Sequence, residues 1–251
     1  MNMLKKLPTP PWLALVLGIP SLAFMAILCL TGQDNRELFL PGHFAGIMVW
    51  VLTPAMILLT ALSLRRYTGK AKYTRMFPVS TTGAAGILCA AVAVLWSTLD
   101  ICRSNAGALG WLLGLLGLAA GGSLVYLAWC RFRGLRNSYL LWAAAVLFLM
   151  LRLMFCYRTW SAEPELLRYC FPLFASVCVT LAFYYRTAFG VGLGNRRMYL
   201  LFSQIGAFFC LTTLGGGVDL FYLGMLLWCL LDLPALRPFK TDRQTKPEVQ
   251  P

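Results

Sequence analysis

In the run VLFLMLRLMFCYRTW, Val146 to Trp160, one arginine stands among Leu, Met and Phe. Arg152 is a permanent cation in an apolar stretch. Insertion scales put arginine at the centre of a membrane helix at about 2.5–3.5 kcal/mol unfavourable, so charges there mark function or a buried pair by default. The chemistry it offers is recognition of an anionic group. Two acids fall on the same side of the threaded chain, Asp100 and Asp219. Arg152, Asp100 and Asp219 therefore form the candidate polar cluster. Three roles are open to the arginine: a structural pair with one aspartate, a side chain extended toward the interface, or a contact for an anionic substrate.

A second pattern concerns packing. In GALGWLLGLLGLAAGGS, Gly107, Gly110, Gly114, Gly117 and Gly121 recur at steps of three and four residues, which puts them on one stripe of a helix. Small residues in such a row let another helix approach closely, and two G-x-x-x-G pairs are included. The stripe serves either packing within the chain or contact with a second copy or another membrane subunit.

Other chemistries find no support. No H-E-x-x-H, G-x-S-x-G or C-x-x-C occurs, so nothing identifies an enzyme. One histidine, His43, has no Cys, Asp or Glu nearby and reads as interfacial; neither a metal nor a cofactor is expected. GVGLGN, Gly190 to Asn195, has the wrong spacing for a dinucleotide loop. Most of the nine cysteines lie in apolar runs as small hydrophobes; the pairing of Cys102, Cys156 and Cys170, near one common face, stays open. The net charge of +13 suggests nucleic acid at first sight, but the basic residues cluster between apolar segments, where membrane topology puts them.

The elements that must hold these residues are membrane helices. Hydrophobic residues make up 59% of the chain and charged ones 12%, half of the ~25% usual in soluble domains. The fold class is all-α, a polytopic transmembrane bundle of about eight spans, with residues 1–236 forming one membrane domain and 237–251 a short disordered tail. The segments run from Trp12 to Leu30, His43 to Leu64, Val79 to Leu99, Gly107 to Cys130, Tyr139 to Tyr157, Pro164 to Phe189, Met198 to Leu214 and Val218 to Leu233. The first is expected to be retained, since no A-x-A site closes it. The last two are short, joined by three glycines, and read equally as a re-entrant hairpin. Pro20 and Pro54 predict kinks, and Thr53 is placed to satisfy a carbonyl that Pro54 frees.

Charge sets the orientation. With the N-terminus inside, the inner segments hold 17 of the 22 basic residues, from Lys5 and Lys6 through Arg65–Arg75, Arg131–Arg136 and Arg186–Arg197 to the tail. Both termini are thus expected inside. RRYTGKAKYTRMF, with five cations and no acid, anchors this topology and suits anionic lipid headgroups.

The stretch LRLMFCYRTWSAEPELLRYCFPLFA, Leu151 to Ala175, resembles a segment of multi-pass bacterial membrane proteins with no assigned activity. The resemblance covers about a tenth of the chain and implies a bacterial cytoplasmic-membrane protein. The functional expectation is a transporter or the membrane subunit of a transport system. The alternative is a non-catalytic accessory or sensor-like protein that packs on a partner through the glycine stripe.

Overall fold

A computed structural model describes residues 12–32, 43–64, 77–103, 107–135, 138–161 and 166–236. Eight helices follow one another: α1 (Trp12–Thr31), α2 (Phe44–Leu64), α3 (Thr81–Arg103), α4 (Gly107–Arg133), α5 (Tyr139–Trp160), α6 (Leu166–Gly190), α7 (Arg196–Gly215) and α8 (Leu220–Asp232). Backbone polar groups in lipid must find partners within the segment, which helices provide. The first seven are long and apolar enough to cross a membrane. Their outward faces carry exposed Leu30, Leu58, Trp111, Leu115, Leu140 and Met154, a surface suited to hydrocarbon rather than water.

Several helices run past the apolar segments into their charged ends. α3 takes in Asp100, α4 takes in Arg131 and α7 begins at Arg196. α8 does the opposite. It has 13 residues because Asp219 caps it, the carboxylate accepting the Phe221 N–H at 2.8 Å. At 1.5 Å per residue it is about 20 Å long, short of the ~30 Å hydrocarbon thickness. The chain therefore has seven full-length apolar helices and one short one, among the described residues.

Helices α3 to α8 touch in chain order, and α8 returns to α3, closing a ring; α1 and α2 pack on each other and on α7. α8 is enclosed, with Phe221, Tyr222, Met225, Trp228, Cys229 and Asp232 all buried. Glycines allow its approach to α3. A Cβ on Gly224 would lie 2.6 Å from the Ala93 Cβ and 2.8 Å from the Cys89 carbonyl oxygen. The most extensive contact joins α3 to α4, and there the glycine stripe is used. Cβ atoms on Gly114 and Gly121 would meet Cys102 Sγ at 2.8 Å and Leu95 at 2.5 Å, and one on Gly117 would strike Thr98 and Phe148. Gly110 is buried as well, whereas Gly107 starts the helix with φ +63° and is exposed. The stripe's working part is filled by a neighbouring helix of the same chain.

Pro20 and Pro54 lie inside continuous helices, as does Pro172. The Thr53 hydroxyl donates to the Val49 carbonyl at 2.9 Å, one residue before the carbonyl that Pro54 leaves without its helical donor.

Candidate functional site

α8 carries polar groups at both ends, and four other helices bring side chains to meet them. At its N-terminal end, Arg152 comes in from α5. The side chain is 6% exposed, and its Nε donates to Ser97 Oγ on α3 at 2.6 Å. The guanidinium carbon lies 3.5 Å from the centroid of Phe221 and 5.8 Å from that of Tyr222. A planar cation on an aromatic face keeps a favourable electrostatic partner without a counter-ion. Tyr222 is itself held by α6, its hydroxyl donating to the Pro172 carbonyl at 3.2 Å and lying 3.2 Å from Ser176 Oγ.

A cavity of about 630 Å³ opens beside this arginine. Its polar wall consists of Ser97, Asp100, Arg152, Arg158, Thr159 and Asp219. Ile101, Leu109, Phe155 and Trp160 supply an apolar wall, and Cys156 lies between them. The three residues of the expected polar cluster thus line one space. They do not pair. Both ion pairs among the described residues belong to Asp232, and neither includes Arg152. Asp219 commits Oδ1 to the helix cap, while Asp100 is exposed.

The other end of α8 is built differently. Asp232 is fully buried and receives donors on both oxygens. Arg131 Nη1 from α4 donates to Oδ1 at 2.6 Å; Arg186 Nη1 from α6 and the Tyr199 hydroxyl from α7 both donate to Oδ2. Arg186 is sandwiched by rings, 4.4 Å from the centroid of Trp142 and 4.5 Å from that of Phe77. Arg131 lies directly on Gly83 of α3, where any Cβ would collide with its guanidinium. A carboxylate with two guanidiniums and a phenol is saturated, which is the condition under which a buried charge is tolerated. Three helices, α4, α6 and α7, are tied to α8 here.

No family model matches the chain, and no curated protein or solved structure is similar to it.

The cluster around Asp232 corrects one sequence expectation. Arg131, Arg186 and Arg196 read as loop cations that anchor topology, yet all three are buried parts of helices. An acid at the C-terminal end of a helix opposes the macrodipole, and that misfit in WCLLDLP was the available signal. The remaining features are structural. Cys102, Cys156 and Cys170 are free thiols and form no disulfide. His43 accepts the Ala45 N–H at 3.3 Å at the start of α2, and its Nε2 lies 3.4 Å from the Thr31 hydroxyl. GVGLGN makes the α6–α7 turn, with Gly192 at φ +85° and Asn195 capping α7. The basic stretch 65–75, the tail 237–251 and the acids Glu163 and Glu165 lie outside the described residues.

Proposed function

We propose that the protein is a multi-pass cytoplasmic-membrane protein of transport type, or the membrane subunit of a transport system, whose ligand enters the cavity beside Arg152. The single observation that carries this reading is Arg152 itself. A buried guanidinium lines a cavity of about 630 Å³ while its neighbours are a hydroxyl and two aromatic rings rather than a carboxylate. Ligand sites of small molecules are typically concave, ~300–1,000 Å³, largely apolar, with a few convergent polar groups. The cavity has that size and that mixture.

Orientation follows from charge. The Asp232 end of the bundle also carries Arg133 and Arg197, and the basic stretch 65–75 belongs to the same side of the threading. Placing that end in the cytoplasm leaves the cavity facing outward in a bacterial membrane. Anionic lipid headgroups are the natural neighbours of the basic stretch.

The test uses proteoliposomes loaded with a bacterial small-molecule extract, followed by mass spectrometry of what leaves. At least one charged metabolite is expected to be depleted by the wild-type protein and retained by Arg152→Leu. Efflux indistinguishable from that of empty liposomes would overturn the reading.

A further inference from the structure

We infer that the cavity beside Arg152 binds a small zwitterion with an apolar side chain, an inference that rests on the ligand-site reading above. Among the described residues the lining is charge-balanced, with Arg152 and Arg158 set against Asp100 and Asp219. A purely anionic ligand would gain from Arg152 but face two carboxylates on the same wall, and like charges across an interface are strongly unfavourable. A purely cationic ligand meets the mirror problem at two guanidiniums. A molecule carrying both signs satisfies both.

The polar groups needed are available. Arg152 spends Nε on Ser97 and stands with one face against Phe221, so its position is fixed before a ligand arrives. Asp219 gives Oδ1 to the α8 cap, and Oδ2 has no hydrogen-bond partner among the described residues. Asp100 makes neither a hydrogen bond nor an ion pair among them. The anionic group of the ligand belongs on Arg152, where a guanidinium offers paired donors to a carboxylate or phosphate. Its cationic group belongs on Asp219 and Asp100. Ile101, Leu109, Phe155 and Trp160 then cover the apolar remainder. Zwitterions of this kind occur as free solutes and as lipid headgroups, and the two sources share the chemistry.

Cys156 lines the same cavity and is a free thiol, so it reports occupancy without any added label site. The full chain in phosphatidylglycerol nanodiscs would be treated with N-ethylmaleimide and the alkylation of Cys156 followed by peptide mass spectrometry. The competitors are leucine, 4-methylpentanoate and 3-methylbutylamine, which share one branched chain and differ only in their charged groups. Leucine should slow alkylation, with each single-charge analogue about tenfold weaker, since each lacks one charge-assisted contact. Asp219→Asn should shift the preference toward 4-methylpentanoate, and Arg152→Leu toward 3-methylbutylamine. Slower alkylation in phosphatidylethanolamine nanodiscs before any solute is added would support the zwitterion and assign it to a headgroup. Equal protection by leucine and 4-methylpentanoate overturns the zwitterion, as does rapid alkylation that none of the three compounds or the zwitterionic lipid slows. Failure of Cys156 to react at all strikes the cavity reading instead, because an open cavity exposes the thiol.

Discussion

The two ends of α8 handle buried arginine in opposite ways. At the Asp232 end, two guanidiniums converge on one carboxylate, and a phenol completes it. At the other, Arg152 rests on a ring and a hydroxyl beside an open space that two aspartates also line. The first arrangement saturates its carboxylate and ties α4, α6, α7 and α8 together. The second leaves ionic capacity unused. A charge whose partners all come from the protein holds the fold, while one lacking them is available to a ligand. The ~20 Å between the two is the length of one short helix.

Mutations should separate the two roles, beginning with the largest effect. Asp232→Asn removes the carboxylate that Arg131 and Arg186 share at the closed end. Breaking a buried pair from one side costs about 3–5 kcal/mol, so folded, monodisperse protein should be largely lost in size-exclusion profiles. Normal recovery and thermal stability would show that the cluster contributes little. Gly83→Ala attacks the same end indirectly by putting a methyl group where the Arg131 guanidinium lies. Overpacking of that kind costs about 1–3 kcal/mol, read as a lower melting midpoint. Tyr199→Phe deletes one donor to the carboxylate and should cost about 1.5–3 kcal/mol or less, the range for hydrogen bonds to charged groups. A midpoint equal to wild type would mean that the two arginines suffice.

The open end predicts the reverse pattern. Arg152→Leu should change stability by no more than about 1 kcal/mol, because an apolar side chain of similar size replaces a cation that has no ion pair to lose. Ligand protection of Cys156 should nevertheless change. If Arg152→Leu unfolds the protein as Asp232→Asn does, the contrast between the two ends fails. Ser97→Ala removes the 2.6 Å hydrogen bond to Nε and should weaken protection at a stability cost of about 1.5–3 kcal/mol or less, the range for hydrogen bonds to charged groups.

Much of this was legible before any coordinates. Apolar runs of membrane length set the helices, and glycine spacing marked the face that α4 turns to α3. The isolation of Arg152 in its own segment singled out a residue that lines the cavity. The closed end was not legible, and the reason is physical. Arg131 and Asp232 are 101 residues apart and Arg186 and Asp232 46 apart, so no local spacing links them. Near a helix end, an arginine that pairs inward and one that anchors the chain at the surface look the same in sequence. The partners of Arg152 are hidden from the sequence for a related reason. Counting charges cannot register a serine hydroxyl or the face of Phe221 as a partner, yet those are what hold it.

The position of Asp232 also bears on how the chain is made. Proteins are synthesised from the N-terminus, and α8 is the last of the eight described helices to appear. Until it does, α4 and α6 have already been made without the carboxylate that Arg131 and Arg186 share in the finished bundle. Ser21 of α1 likewise lacks its partner Thr212, 2.8 Å away in the folded protein, until α7 emerges. These long-range contacts can therefore close only in steps, the Ser21–Thr212 pair with α7 and the Asp232 cluster with α8.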